Sequence, residues 1–407
     1  MARSRTTARM LLLAGLLASL LEGPIATPAL SAEGAGKGFV SREGTGFVLD
    51  GKPFRVAGVN NHYLAFGSRE EVTRVLDDAV AMGANVVRTF IQPVIGSPDG
   101  SVPTIWNWKS EADASDLGTR GAYVMSWDKA AGRVAFNDGP DGLARMDFVL
   151  DEARRRDLKL IVALVDFWGY TGGAQQMSAW HGSRDKYMFF GASPETRRDY
   201  RDWATHVLTH VNAINGKAYR DDPTVMAWEL ANEPDIHPLP NLVAWVREMS
   251  GHVKSVDPAH LVATGHANMA VPFADLEPDT VDFGTWHGYA SYAKMTHSDF
   301  DALIRRNCRF AEERGKPILL EEFGVPRSDP GQADAYKTWL ATIAASPACP
   351  GWVVWRLVSK QDSGRYPEDA HDKFDVRNDG GSTWDVLKDA AAAAGEASRR
   401  RADATAR

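Results

Sequence analysis

Two short apolar runs in this chain end in acid. Val225 to Ala231 leads into Asn232-Glu233-Pro234, and Pro317 to Leu320 leads into Glu321-Glu322-Phe323-Gly324. Proline disfavours the α conformation for the residue before it. Glu233 is therefore expected extended at the mouth of a buried strand, beside an amide able to hydrogen-bond a substrate. The plainer alternative is an acid that caps the next helix. Gly324 breaks the second run in the same way. Two strands that each deliver a carboxylate at the C-terminal end suggest one site with two acids. Paired Asp or Glu side chains are the usual equipment for cleaving a glycosidic bond. One protonates the leaving oxygen, and the other attacks the anomeric carbon or activates a water.

Other strand ends carry side chains suited to the same site. Arg88 ends an apolar run; near a carboxylate it would hold that acid ionised, and alone it would be a core ion pair. Trp286-His287-Gly288-Tyr289 places a histidine and a tyrosine two residues apart, fit to sit over a sugar or orient a nucleophile. His287 alone would read as a structural histidine. Trp355 ends another run and is either a sugar platform or core packing. The rival chemistry is a metal held by His287, Glu233 and Glu322, but the chain has no HExxH pattern. It also has no GxSxG elbow for a serine nucleophile. No metal or cofactor is expected.

The elements that must position these residues alternate. Strands are expected at Arg55 to Val59, Asn85 to Thr89, Lys159 to Val165, Val225 to Leu230, His260 to Thr264, Asp282 to Trp286, Pro317 to Glu321 and Gly351 to Trp355. Helical patterns fall between them, at Glu70 to Met82, Gly142 to Arg156, Pro194 to Ile214, Asn241 to Val256, Ser298 to Arg314, Gln332 to Ala345 and Trp384 to Ala394. Uninterrupted apolar strands alternating with helices imply a buried parallel sheet. Eight units imply an α/β fold of the (β/α)8 TIM-barrel class. The open dinucleotide-binding alternative needs a Gly-rich loop after the first strand, and Gly58-Val59-Asn60-Asn61 is not one. Phe39 to Phe54 precedes the barrel as a hairpin turning at Asp50-Gly51. Two long βα loops, Gln92 to Gly139 and Asp166 to Ser193, leave the C-terminal strand ends, where barrels build active sites. They carry Trp106, Trp108, Trp127, Trp168, Tyr170, Trp180 and Tyr187. Sugar rings stack their apolar faces on such side chains.

The 407 residues carry a net charge of -7, which gives nucleic acid no electrostatic hold. Arg3, Arg5 and Arg9 precede an apolar run from Met10 to Leu21, with small residues at Ala29, Ser31 and Ala32. That is the pattern of a cleaved export signal over residues 1–32; a membrane anchor is the alternative, though the run is short for a bilayer. The expected product is a secreted or periplasmic monomer with no stable membrane insertion. Its single catalytic domain spans residues 33–395, and a disordered basic tail follows over 396–407. Cys308 and Cys349 are the only cysteines. They either form one disulfide, as exported proteins allow, or remain two buried thiols.

Trp228-Glu229-Leu230-Ala231-Asn232-Glu233-Pro234 and Glu321-Glu322-Phe323-Gly324 together resemble glycoside hydrolase family 5, and most of all its β-mannanase branch. Gly58-Val59-Asn60, Val86-Val87-Arg88-Thr89, His287-x-Tyr289 and Trp352 to Leu357 extend the likeness over residues 55–357. The resemblance implies a retaining hydrolase of a β-linked polysaccharide or oligosaccharide. Mannan is the leading substrate; an exo-acting β-mannosidase, an endo-glucanase and a non-catalytic binding barrel are the alternatives. By the same resemblance Glu233 is the general acid/base and Glu322 the nucleophile. Arg88, Asn232, His287, Tyr289 and Trp355 complete the site, with Trp168 and Trp106 as further sugar contacts from the loops. Strand alternation is expected to turn Glu321 and Glu322 to opposite faces, and the resemblance selects Glu322. Val165-Asp166-Phe167-Trp168 departs from the His or Asn many members carry there, and Asp235 stands where mannanases often have Arg.

Overall fold

The computed structural model describes residues 36–106, 119–191, 193–235, 239–267, 269, 273–367 and 373–405. The export signal and Trp108 lie outside the described residues. The barrel strands are β1 (Val56–Asn60), β2 (Val86–Phe90), β3 (Lys159–Ala163), β4 (Val225–Glu229), β5 (Leu261–Ala263), β6 (Gly284–Gly288), β7 (Ile318–Phe323) and β8 (Gly351–Val354). They lie in the order β5-β4-β3-β2-β1-β8-β7-β6 with every neighbouring pair parallel. A parallel bridge from Ala263 to Phe283 joins β5 to β6, so the (β/α)8 barrel is closed as expected.

Alternation along each strand sends every second side chain into the barrel. Val56, Val86, Ile161, Ala227, Leu261, Phe283, Leu319 and Val353 fill the interior near the strand starts. Val40 and Phe47 join them from a three-stranded meander, Val40–Glu43, Gly46–Leu49 and Lys52–Phe54. Asp50 and Gly51 make its turn with φ of 50° and 76°, the left-handed pair that a tight hairpin requires. Two residues further along the same strand faces stand Arg88, Glu229 and Glu321, all buried. The barrel thus has an apolar floor and a polar upper layer.

The flanking helices are α1 (Arg69–Met82), α2 (Leu143–Arg155), α3 (Gly173–Trp180), α4 (Pro194–Thr209), α5 (Leu239–Val256), α6 (His297–Arg314), α7 (Gln332–Ala345) and α8 (Ser382–Thr405). Ser68 with Glu71, and Thr296 with Asp299, form capping boxes on α1 and α6. Pro194 opens α4 behind the Ser193 cap.

Three expectations are corrected. Helix α4 stops at Thr209 and not at Ile214, because Asn212 pairs with Lys217 across a turn at Asn215-Gly216. Strands β6 and β7 extend two residues further than expected, so His287 and Glu322 sit in strands and not after them. Helix α8 continues to Thr405, so residues 396–405 are helical and not the disordered tail expected; the Ala-rich run carries helix propensity through Gly395. Ser398 Oγ there accepts from the Arg55 backbone N–H.

Cys308 on α6 and Cys349 before β8 form a disulfide, resolving the open choice. It closes a loop of 41 residues, worth about 4 kcal/mol in the chain-entropy account. Replacing both cysteines by serine is expected to lower the free energy of unfolding by about that amount. Denaturant titration under non-reducing conditions measures it.

Candidate active site

The polar layer is organised on Arg88, which is fully buried on β2. Its Nε donates to Glu229 Oε1 at 2.7 Å, and Nη1 donates to Asn60 Oδ1 at 2.9 Å and Glu322 Oε1 at 2.6 Å. Nη2 donates to Asn232 Oδ1 at 2.8 Å. One planar guanidinium thereby positions side chains from β1, β4, β7 and the loop after β4, as its rigid fork of donors allows.

Glu322 also accepts from Tyr289 OH, at Oε2 and 2.7 Å. Each of its oxygens has its own donor. Glu233 Oε1 lies 2.7 Å from His287 Nδ1, and Oε2 accepts from Trp168 Nε1 at 2.6 Å. His287 Nδ1 is also 3.5 Å from Glu322 Oε2, so one imidazole stands between the two acids. An oxygen of Glu233, one of Glu322 and a His287 nitrogen all lie within 4.8 Å of one another. These are the three residues of the metal reading. Each of their contacting atoms already faces a protein partner, and the Arg88 charge disfavours a second cation.

Glu233 is not extended. Its φ is +49°, a left-handed conformation that costs a non-glycine residue about 1–3 kcal/mol. Proline excludes the right-handed helix from the preceding residue, and the surroundings then select this region. The Glu233 N–H donates to Gly265 O at 2.9 Å, and the Asn232 N–H to Val165 O at 2.8 Å. The chain passes so closely here that a Cβ on Gly265, itself at φ +76°, would lie 1.9 Å from Ala231 O.

Burial pushes the Glu233 carboxyl up. The hydrogen bond and charge of His287, the Trp168 N–H and Arg88 outweigh it and hold the group at about 2. His287 is likewise opposed by burial, yet Glu322, Glu233 and Glu321 raise it to about 10. At neutral pH the shared proton therefore sits on His287 in the ligand-free cleft. Burial, aided by the Glu233 charge, raises Glu322 despite His287, Arg88 and Tyr289. Asp166, buried beside both acids, is raised to about 7.

Sequence reasoning missed four residues of the cluster: Asn60, Asp166, Glu229 and Glu321. Asp166 Oδ1 accepts from Asn232 Nδ2 at 2.9 Å, fixing which way that amide points. Glu229 and Glu321 are fully buried, and Glu229 Oε2 and Glu321 Oε1 face no donor. The two carboxyls interact directly with each other. Burial, with the Glu321 charge and against the pull of Arg88, raises the Glu229 carboxyl well above its usual range. Alternation was expected to separate Glu321 from Glu322. The ladder instead shifts between Trp286 and His287, which pair with Leu320 and Glu322 and leave Glu321 as an extra residue. A bulge of this kind re-aims side chains. Alternation from Leu319 already turns Glu321 into the barrel, its Oε2 3.3 Å from His287 Nε2 and 3.6 Å from Arg88 Nε, and the bulge is what brings Glu322 to the same cluster.

The aromatic expectations divide. Trp168 is on Glu233 and partly exposed, next to exposed Tyr170 and near exposed Tyr187. Trp355 is half-buried and stacks with His62 and Phe90. The Trp106 indole N–H donates to Val94 O beside Gly172. Trp127 and Trp180 stack on each other as packing. Tyr292, which sequence reasoning did not single out, is exposed beside Tyr289.

A closed (β/α)8 barrel with two carboxylic acids side by side at the ends of β4 and β7 defines a glycoside hydrolase. The family described as GH family 5 beta-mannosidase-like matches residues 37–344, and the chain belongs to glycoside hydrolase family 5. Mannan endo-1,4-beta-mannosidase 1 of Oryza sativa is 30% identical over 404 residues, covering 86% of this chain and 85% of that protein. Mannan endo-1,4-beta-mannosidase F of Aspergillus clavatus is 28% identical over 353 residues, covering 81% and 74%. The crystal structure of the endo-1,4-beta-mannanase from Rhizomucor miehei is similar with a TM-score of 0.73 and 26% identity, covering 88% and 99%.

Proposed function

We propose that this enzyme is a secreted, retaining endo-β-1,4-mannanase that cleaves mannan or glucomannan by double displacement. The nearness of Glu233 and Glu322, one oxygen of each lying within 4.8 Å of the other with His287 against both, supports the retaining part. Retaining pairs stand about 5–5.5 Å apart, against about 6.5–9.5 Å where a water must fit between them. The endo-mannanase part is supported by the relatives, whose names specify that activity. Export is supported by the basic and apolar segment before residue 33 and by the disulfide. Among the described residues no helix is long and apolar enough to cross a membrane.

In this reading Glu322 attacks the anomeric carbon while Arg88 and Tyr289 hold its two oxygens. Glu233 protonates the leaving oxygen, drawing on the proton that His287 Nδ1 holds 2.7 Å away. It then takes a proton from the incoming water, for which its carboxylate form is suited. Asn232 donates one amide hydrogen to Asp166 and keeps a second for a sugar hydroxyl. Trp168 stacks against the sugar next to Glu233.

The product profile tests the substrate. Mannan is expected to yield mixed oligosaccharides, with carboxymethylcellulose untouched. Mannose released alone from chain ends would replace the endo reading with an exo one.

Tyr289→Phe tests the nucleophile's environment. The Tyr289 hydroxyl opposes the burial that raises Glu322, so its loss raises Glu322 further. The nucleophile works ionised, so activity falls as pH drops through its pKa. The acid limb of kcat/KM, which reports the free enzyme, is expected to move up by about one pH unit.

A further inference from the structure

We propose that Asp138, His206 and His210 form a binding site for a divalent transition metal, zinc by preference, on the outer wall of the barrel. None of the three belongs to the catalytic cluster. His206 lies in the last turn of α4 and His210 caps its end, four residues on and on the same face. Asp138 follows the strand Arg133–Phe136 of a two-stranded hairpin in the first long loop. Its Oδ1 lies 2.7 Å from His206 Nε2 and 3.5 Å from His210 Nδ1. One ligand atom from each residue lies within 4.8 Å of the other two.

The support behind His210 gives the site its chemistry. His210 Nε2 is 3.0 Å from Oδ1 of Asp147, which is buried on α2. Asp147 Oδ1 also accepts from Tyr219 OH at 2.8 Å, and Oδ2 from the Ala213 N–H at 3.0 Å. Asp147 is an acceptor fixed in place, so the neutral imidazole carries its proton on Nε2. Nδ1 is then the nitrogen left to ligate, 3.5 Å from the Asp138 carboxylate. A carboxylate behind a ligating histidine is the arrangement that orients such ligands and raises their basicity. The His206 ring is fixed too, stacked on Phe136 with centroids 4.4 Å apart. The Asp138 side chain is 52% exposed and that of His206 26%, so the site opens to solvent. Two imidazoles and one carboxylate with an open fourth position suit zinc rather than calcium or magnesium, which want more oxygens. A bound metal would tie the loop hairpin to α4 and, through Asp147, to α2.

The test is titration of untagged, chelator-treated enzyme with zinc chloride by calorimetry, with melting temperature read in parallel. One equivalent is expected to bind and raise the melting temperature. His206→Ala should lose that binding at least 100-fold while hydrolysing mannan at the wild-type rate. Asp147→Asn should weaken it about 10- to 100-fold. Glu322→Ala should leave it intact, which separates this site from the catalytic carboxylates. The proposal is overturned if wild type binds no zinc at 0.1 mM. It is equally overturned if binding survives His206→Ala and disappears in Glu322→Ala.

Discussion

Glu322→Ala is expected to lower the turnover of mannan by about 10^4-fold or more, the scale at which removing a catalytic nucleophile acts. The side chain is nearly buried and accepts from Arg88 and Tyr289 on its two oxygens. The space left is the size of a small anion, and azide supplied in solution should enter it. Attack from the nucleophile's own side gives a glycosyl azide of inverted configuration. Glu233→Ala should behave oppositely. Azide then attacks the glycosyl-enzyme from the acid/base side, and the product keeps its configuration. Glu233→Ala should also retain its first step on aryl glycosides, whose leaving groups need no proton. Product configuration by NMR, with circular dichroism to confirm folding, decides the assignment. Turnover retained in Glu322→Ala would overturn it and make Glu321 the first suspect. That residue lies 3.3 Å from the same histidine.

The parts of this site legible in the sequence are those that local chemistry dictates. An apolar run ending in Asn232-Glu233-Pro234 says that a strand stops and that an acid stands at its mouth. Alternating strands and helices say how many such mouths face one another. What stayed hidden depends on contacts between distant segments. Glu229 reads as one acid in an apolar strand, and only Arg88, 141 residues earlier, explains its burial. The bulge that brings Glu322 to the same side as Glu321 arises from the pairing of β6 with β7, which neither strand's own pattern records. Proline before the loop excluded one conformation for Glu233, but the choice between the remaining two was made by Gly265 and Val165.

Arg88→Ala is expected to cost about 3–5 kcal/mol of stability, the range for removing one partner of a buried ion cluster. Arg88 makes four hydrogen bonds at 2.6–2.9 Å from a fully buried position. Without it, Glu229, Glu321 and Glu322 keep one cation, His287, among them. The guanidinium is itself held charged by these carboxylates despite its burial. Arg88→Lys separates charge from geometry. Lysine restores the cation but has one nitrogen where arginine uses three, so it cannot reach Asn60, Glu229, Asn232 and Glu322 together. It should recover part of the stability and little of the activity, because Asn232 and Glu322 lose their shared alignment and a misplacement of about 1 Å costs about 10^2-fold in rate. Denaturant unfolding and kcat on mannan measure the two effects separately. A lysine variant as active as wild type would mean that charge alone organises the cluster, and that the planar fork of Arg88 is dispensable.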